Sequence, residues 1–267
     1  MIFNSHTHIG DAFVKHIPED ISLEEIMAPP SGYKHRMLSE ADEKEIISGM
    51  REAMDIMEGC NTDVFVDFRE GGLNGINMLK EAIRGRKIKA IIMGRPSSMN
   101  YDEKEMDEIL SVADGIGLSS ISDWDYDAME AISSHVMEKK KMFALHVSEI
   151  KREDISLILD LKPDFVVHLC HATEEDIDEI VLKGIGVVIC PRANAFFGLS
   201  PPVNVLMEKR AKMMLGTDNA MIVKPDIIKE MEYLVKNFGV ADEEAFKMIS
   251  KTPSEFFGEI LKNHEYS

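Results

Sequence analysis

The sequence predicts an α/β fold, a (β/α)8 TIM barrel, in a single domain over residues 1–267 with extra C-terminal helices. Three observations predict it. Eight short apolar runs recur along the chain, and an amphipathic segment follows each one. The runs are mostly continuous rather than alternating, which is typical of parallel strands buried on both faces. Eight such units in roughly 250 residues match the usual size of this barrel.

The predicted elements follow one another regularly along the chain. The apolar runs are MIFNSH (1–6), TDVFVDF (62–68), KIKAIIMG (87–94), DGIGLSS (114–120), MFALHV (142–147), DFVVHLC (164–170), GVVICP (186–191) and KMMLGT (212–217). The helical segments are 40–58, 72–85, 102–113, 123–140, 151–162, 173–184, 201–211 and 225–239, and two more, 242–251 and 253–262, close the chain. A doubly wound open sheet is the competing fold, but it usually has fewer strands and a glycine-rich phosphate loop after the first one.

A long segment separates the first strand from its helix. Residues 11–39 include the stretch MAPPSGYKHRML, in which proline and glycine interrupt any regular pattern. A long connection of this kind in a compact domain is usually functional. We therefore expect a lid-like loop over about residues 11–39.

Composition excludes several classes of function. The net charge of -18 disfavours nucleic acid or an anionic membrane as a partner, because phosphate binding needs a basic face. No apolar stretch is long enough to span a membrane, and the N-terminus does not resemble a signal peptide. Three cysteines without framework spacing indicate reduced thiols and a cytoplasmic protein. A small-molecule substrate is expected, and a homo-oligomer is compatible with the sequence.

Polar residues gather where the predicted strands end. In a barrel of this kind the active site lies at the carboxyl ends of the strands. Five of the nine histidines fall at three of these ends, which scattered surface histidines would not do. In strand order the residues are His6 and His8; Asp67, Arg69 and Glu70; Arg95; Ser119 and Ser120; His146 and Glu149; His168 and His171; Arg192 and Asn194; and Asp218.

The histidines at the first and fifth strand ends predict a metal site. His6 and His8 lie two positions apart, so both imidazoles face the same side of a strand. Imidazole is a leading ligand for borderline divalent metals, and a carboxylate completes the set. His6, His8, His146 and Asp218 are the predicted ligands of one divalent metal. Zinc is the expected cation, with iron or manganese as alternatives.

These motifs resemble the amidohydrolase superfamily. The resemblance is carried by His-x-His at the first strand, HVSE at the fifth, VVHLCH at the sixth and LGTDN at the eighth, and it covers nearly the whole chain. The His-x-x-Glu element is similar to the branch of cytosine deaminases, adenosine deaminases and chlorohydrolases. The fourth strand offers no lysine for a dinuclear arrangement, and no residues precede the first strand to build the small β-sandwich common among cytosine deaminases.

The resemblance implies a metal-dependent amidohydrolase that deaminates an amino-substituted heterocycle, such as a nucleobase, nucleoside or pterin-like compound, by means of a metal-activated water. It implies three catalytic residues. Asp218 would accept a proton from the water, Glu149 would donate a proton to a ring nitrogen, and His168 would stabilise the developing oxyanion. Cleavage of another C–N or C–Cl bond on such a ring is hard to separate from deamination.

Five further residues near the strand ends are candidates for substrate binding. Guanidinium groups recognise carboxylate or phosphate through two parallel hydrogen bonds, and three arginines approach the mouth of the predicted barrel. The candidates are Arg69, Arg95, His171, Arg192 and Asn194. Each arginine could instead form a structural ion pair, and Arg69 has acidic neighbours in Asp67 and Glu70.

Three other functions remain as alternatives. A TatD-like metal-dependent nuclease or phosphodiesterase shares the barrel and an opening His-x-His, but GIGLS at strand four lacks the expected bridging glutamate. A non-hydrolytic decarboxylase of the same superfamily would use the arginines to grip a carboxylate. A barrel that binds a metal or ligand without turnover is the third, and Glu149 together with Asp218 argues against it.

Overall fold

The core of the protein is a curled, all-parallel sheet. The structure is a computed structural model, and it describes residues 1–18, 22–27 and 31–264. The strands in these residues are β1 (Phe3–His8), β2 (Val64–Arg69), β3 (Lys89–Gly94), β4 (Gly115–Leu118), β5 (Met142–Val147), β6 (Phe165–His168), β7 (Gly186–Ile189), β8 (Lys212–Leu215) and β9 (Asp218–Asn219). Their order is β8-β7-β6-β5-β4-β3-β2-β1-β9, and the surrounding helices make this a TIM-like barrel.

Helices connect the strands and cover the outside of the sheet. Within the described ranges they are α1 (Leu23–Met27), α2 (Tyr33–Glu40), α3 (Glu43–Gly59), α4 (Gly72–Ile83), α5 (Glu103–Val112), α6 (Tyr126–Glu138), α7 (Ile155–Asp160), α8 (Glu174–Leu182), α9 (Pro191–Phe196), α10 (Val203–Glu208), α11 (Ile227–Phe238), α12 (Asp242–Ile249) and α13 (Lys251–His264). None of these helices combines the length and the apolar content needed to cross a bilayer.

The chain returns to its first strand just after β8. Only residues 216 and 217 separate β8 from β9, and β9 pairs in parallel with β1 through Thr7 to Asp218 and His8 to Asn219. The sequence predicts one strand in this region, whereas the structure has two short ones. The interruption has a local cause, because the backbone of Asp218 adopts a left-handed φ of 63°.

Apolar side chains fill two layers on either side of the strands. On β2, Val64, Val66 and Phe68 belong to the cluster inside the sheet, whereas Phe65 packs outward against the helices. This alternation is the normal consequence of strand geometry. Helix α13 covers the end of the inner cluster where the strands begin, since the Phe257 ring lies 6.4 Å from that of Phe3.

A register shift aims the first two histidines into the interior. Simple alternation from the inward-facing Phe3 would turn His6 and His8 outward. The pairing of β1 with β2, however, moves from Asn4 opposite Phe65 to Thr7 opposite Asp67, which leaves one extra residue on β1. Such an irregularity re-aims the side chains that follow it. The His6 ring consequently packs 4.5 Å from that of Phe68, inside the sheet.

Three short helices are absent from the sequence prediction. Helix α9 replaces an expected strand end and loop, and helices α1 and α2 lie in the segment expected to be a loop. All three are under three turns long, so their periodic pattern is too brief to recognise. Pro191 at the first position of α9 is a helix-start signal that could have predicted it.

The first prediction concerns the link between β8 and β9. A Cβ at Gly216 would lie 2.6 Å from His6 Cβ and 2.8 Å from His6 N. Gly216→Ala should therefore destabilise the protein by about 1–3 kcal/mol. Gly258→Ala is the matched control, because nothing lies within 4 Å of its added Cβ. That helical change should stabilise by about 0.5–1 kcal/mol. Urea unfolding of both variants measures the effects, and equal effects would contradict the close approach.

Candidate active site

Three imidazoles and one carboxylate converge where β1 and β5 end and β9 begins. The Nε2 atom of His146 lies 3.2 Å from that of His6 and 3.3 Å from that of His8. Asp218 Oδ1 lies 3.3 Å from His6 Nε2 and 3.6 Å from His8 Nε2. Ligand atoms bound tetrahedrally at about 2.1 Å from zinc are roughly 3.4 Å apart. These four distances are therefore close to the spacing expected in a metal-binding set.

Hydrogen bonds at Nδ1 fix the tautomers of two of these rings. His146 Nδ1 lies 2.9 Å from the carbonyl oxygen of Leu118, and His8 Nδ1 lies 2.9 Å from Glu70 Oε1. A carbonyl or carboxylate oxygen can only accept, so each Nδ1 carries the hydrogen and each Nε2 presents a lone pair. Two lone pairs that face each other at 3.3 Å repel unless a cation lies between them.

Burial keeps the imidazoles neutral. Desolvation, followed by the Lys34 ammonium, lowers the pKa of His8 to about 3. Desolvation likewise lowers the pKa values of His6 and His146. For Asp218, burial would raise the pKa, but its histidine neighbours, His6 first through a hydrogen bond, hold the pKa below its ordinary value. Neutral imidazole and ionised carboxylate are the forms that bind a divalent cation.

His168 has the opposite tautomer. Its Nδ1 lies 3.1 Å from Asn194 Nδ2, which donates to it, so the hydrogen of His168 is on Nε2. Within the described residues His168 Nε2 has no hydrogen-bond acceptor, although Glu149 Oε1 lies 3.6 Å away. His168 also forms a group with His6, His146 and Asp218 whose ligand atoms all lie within 4.8 Å of one another. A hydrogen on Nε2 suits His168 to donate rather than to bind a metal.

The backbone at His168 is held in an uncommon conformation. Its φ is 81°, and Leu169 after it has a φ of 60°. A histidine in the left-handed region costs free energy that the surroundings must offset. Here the amide of Leu169 donates to Val147 O at 3.0 Å, and Asn194 fixes the ring. Such conformations cluster at functional sites.

Glu149 is placed to hold a proton. Its Oε1 accepts a 3.3 Å hydrogen bond from Asn194 Nδ2. Burial, then the charges of Asp218 and Asp123, raise the pKa of Glu149 well above its ordinary value. A raised pKa favours the protonated carboxyl, which is the form that can act as an acid.

The site opens into a cavity of about 160 Å³. This is on the order of the ~150 Å³ cavity that holds a benzene ring. The cavity is lined by His8, Glu24, Lys34, His35, Arg95, Ser119, Ser120, Ser122, Asp123, His146, Glu149, Ile150, Lys151, His168, Asp218 and Asn219. Metal-site and proton-transfer groups thus line the same cavity as a mixed set of polar groups.

A family model for the amidohydrolase family matches residues 2–259. The chain belongs to the amidohydrolase family. An uncharacterized protein of Methanocaldococcus jannaschii is 33% identical over 266 residues, which cover 92% of this chain and 70% of that protein. A relative from Archaeoglobus fulgidus, whose name assigns it provisionally to the aminohydrolases, is 38% identical over 232 residues, 86% of this chain and 66% of its own length.

Solved structures with the same fold include zinc enzymes. An adenosine deaminase from Xanthomonas campestris with bound zinc has a TM-score of 0.80 and 15% identity, over 96% of this chain and 66% of its own. The atrazine chlorohydrolase TrzN from Arthrobacter aurescens, complexed with zinc, has a TM-score of 0.76 and 14% identity, over 96% and 70%. The amidohydrolase resemblance drawn from the sequence motifs is thereby confirmed.

Four residues expected to bind substrate lie outside the cavity of this amidohydrolase. Arg69 is buried, and its Nη2 donates to Glu70 Oε2 at 2.7 Å. The Arg192 guanidinium packs 3.5 Å from Glu230 Oε2, and His171 is exposed. Asn194 does not line the cavity either, but it contacts both Glu149 and His168 from behind. Of the predicted arginines, only Arg95 lines the cavity.

Lys34 and Asp123 line the cavity but were not predicted from the sequence. Asp123 lies in a short 3-10 turn after β4, and burial raises its pKa. Lys34 comes from α2 and is buried. A lysine in a segment rich in proline and glycine gives no periodic signal, so only the fold brings it to the site. Its position within the lid-like segment is the one feature that could have singled it out.

The second prediction concerns Glu230 of α11, which is buried and accepts a 2.7 Å hydrogen bond from the backbone amide of Arg192 in α9. Burial in the folded state raises the pKa of Glu230 to about 8, whereas 4.5 is the ordinary value that applies to the unfolded chain. Folding therefore favours the protonated form, so this contribution to stability is present below pH 4.5 and lost as the pH rises through 8. Glu230→Gln should raise stability relative to the parent protein above pH 8 by on the order of a few kcal/mol and change it little at pH 5.

Urea unfolding at the two pH values measures this difference. The exposed Glu232 on the same helix provides the control. Glu232→Gln should change the free energy of unfolding by the same small amount at both pH values. A Glu230→Gln effect that does not change with pH would contradict the assignment.

Proposed function

We propose that this amidohydrolase binds one divalent cation through His6, His8, His146 and Asp218 and hydrolytically deaminates an amino-substituted heterocycle. The observation that carries the proposal is the pair of neutral imidazoles, His8 and His146, whose Nε2 lone pairs face each other at 3.3 Å. Zinc is the expected cation, with iron or manganese as alternatives, since nitrogen and oxygen ligands of this kind accept all three. The zinc-bound structures of similar fold support zinc.

Asp218 would serve as the proton acceptor. A divalent cation, when bound, lowers the pKa of a coordinated water from about 15.7 to near 7 and so supplies the nucleophile. Asp218 is ionised, and Asn219 Nδ2 donates to its Oδ1 at 3.0 Å, which fixes the orientation of the carboxylate. The carboxylate can therefore accept a proton at the position where the water attacks.

Glu149 and His168 would complete the reaction. Protonated Glu149 would donate its proton to a ring nitrogen of the substrate, which makes the ring carbon more electrophilic. His168 Nε2–H would donate to the oxygen that gains negative charge in the transition state. The exocyclic amine would then leave as ammonia after it takes up the proton held by Asp218. The hydroxyl on the ring carbon would return its proton to Glu149 as the C=O bond forms. Asn194, in contact with both residues, would keep their relative orientation.

Other groups that line the cavity would select the substrate. Arg95, alone among the predicted arginines, lines the cavity, and Asp123 lines it too. We propose that Arg95 binds a polar or anionic substituent and that the segment over residues 11–39 acts as a lid. A cavity of about 160 Å³ suits a single heterocyclic ring and not a polynucleotide. The comparison structure of a guanine deaminase from C. acetobutylicum contains bound guanine.

The same proposal extends to the barrel itself. Strand β9 begins two residues after β8 and completes the pairing with β1. We propose that β8 and β9 together occupy one strand position of an eightfold (β/α) barrel, in a single domain with α12 and α13 as its extra C-terminal helices.

A decarboxylase of the same superfamily is the second candidate function. Arg95 favours it because a guanidinium can bind a carboxylate through two hydrogen bonds.

The third prediction tests the acid. Glu149→Gln should keep the metal and lower kcat about 10²–10⁴-fold, because an amide cannot donate the carboxyl proton. Ammonia release over a panel of amino-heterocycles, together with metal analysis, measures both quantities. Glu24→Gln is the control, since Glu24 lines the same cavity but lies at its exposed side. Activity of the Glu149→Gln variant near the parent level would remove Glu149 from the mechanism.

The fourth prediction compares the effects of Arg95 and Arg192 on substrate binding. Arg95→Met should raise KM for an anionic substrate by about 10–100-fold, the loss of a charge-assisted hydrogen bond. Arg192→Met should leave KM unchanged, because its guanidinium lies outside the cavity near Glu230. Steady-state kinetics measure both values. An unchanged KM for Arg95→Met, or an equal rise in both variants, would contradict the proposed role of Arg95.

A further inference from the structure

Helix α2 carries a buried lysine to the shell around the metal site. Lys34 is 4% exposed, and its Nζ lies 2.5 Å from Glu70 Oε1 and 2.9 Å from Asn219 Oδ1. Asp11 Oδ2 lies 3.9 Å away. An ammonium loses several kcal/mol of hydration when it is buried, so it remains there only with such acceptors.

Both close partners of Lys34 also contact a proposed metal ligand. Glu70 Oε1 accepts the hydrogen bond from His8 Nδ1 at 2.9 Å, and Asn219 Nδ2 donates to Asp218 Oδ1 at 3.0 Å. One ammonium thus reaches an imidazole ligand and the carboxylate ligand, each through one intervening side chain. Partners of this kind set the tautomer and the orientation of metal ligands.

Glu70 is buried between two cations. The Lys34 ammonium lies 2.5 Å from its Oε1, and the Arg69 guanidinium lies 2.7 Å from its Oε2. Arg69 Nη2 donates to Oε2, whereas Lys34 and His8 share Oε1. Lys34 therefore contacts the same oxygen that orients His8, and Arg69 cannot replace it there.

The contacts of Lys34 form only when α2 is docked. Helix α2 lies in the segment between β1 and α3, and its partly buried Tyr33, Met37 and Leu38 pack against the outer apolar layer. Tyr33 Oη also donates to His16 O at 3.0 Å. If α2 moved away, Lys34 would leave Glu70 and return to water.

We propose that Lys34 is a positioning residue that makes the docking of α2 and the binding of the metal interdependent. Docked Lys34 holds Glu70 and Asn219 in the orientations that prepare His8 and Asp218. A cation bound to those two ligands would, in turn, hold the acceptors of Lys34 in place. The coupling between the two events must be equal in both directions. This inference rests on the proposed metal site but does not depend on the substrate or the reaction.

The test compares Lys34→Met with Lys15→Met in the full-length chain. Lys15 lies in the same segment, but it is exposed and pairs with exposed Glu52. Three measurements are made: Zn²⁺ affinity by competition with a chelator, the visible spectrum of the Co²⁺-loaded protein, and amide hydrogen exchange of α2 with and without Zn²⁺. Unfolding curves confirm that both variants fold.

Lys34→Met should weaken Zn²⁺ binding about 10–100-fold and alter the Co²⁺ spectrum. Zn²⁺ should slow exchange in α2 of the parent protein and of Lys15→Met, but not of Lys34→Met. If Lys34→Met binds Zn²⁺ with parent affinity and an unchanged Co²⁺ spectrum, or if exchange in α2 ignores Zn²⁺ in the parent protein, the coupling is overturned while the metal site stands. A parent protein that binds no metal would overturn the site and the coupling together, and an absence of ammonia release would affect only the proposed reaction.

Discussion

Neutral imidazoles that point their lone pairs at one another are the constraint on which the site depends. Leu118 O and Glu70 fix the hydrogens of His146 and His8 on Nδ1, and burial keeps both rings uncharged. The two Nε2 atoms are then 3.3 Å apart, and neither carries a hydrogen that it could donate to the other. Only a cation between them would make this contact attractive. A metal bound between these atoms, as proposed, would replace the repulsion by attraction to both lone pairs, so the folded chain holds the rings in the form that metal binding requires.

Buried charges behind the histidines maintain this arrangement. Glu70 is surrounded by Lys34, Arg69 and His8, and breaking a buried ion pair typically costs about 3–5 kcal/mol because one charge is left uncompensated. The cluster therefore resists small rearrangements of its members. Gly10 shows how closely it is packed, because an added Cβ would lie about 2 Å from the Arg69 guanidinium. A rigid shell of this kind keeps metal ligands in place before the metal arrives.

The sequence predicted the strands and the converging histidines because both follow from simple periodicity. It did not separate the arginine that lines the cavity from those that lie elsewhere, although alternation along β2 indicated the direction of Arg69. Val64, Val66 and Phe68 face the interior, so Arg69 must face outward, where it pairs with Glu70. Lys34 and helix α9 were missed for another reason, since short helices and long connections carry no pattern. Their positions depend on tertiary contacts that a linear sequence does not display.

The most direct test of the account is a crystal structure of the zinc-loaded protein with the cation located by anomalous scattering. The account predicts one zinc ion bonded at about 2.0–2.2 Å to Nε2 of His6, His8 and His146 and to one oxygen of Asp218. Nε2 of His168 should remain uncoordinated and carry its hydrogen. A zinc ion bonded to His168 in place of His8, or no zinc ion among these side chains, would contradict the account.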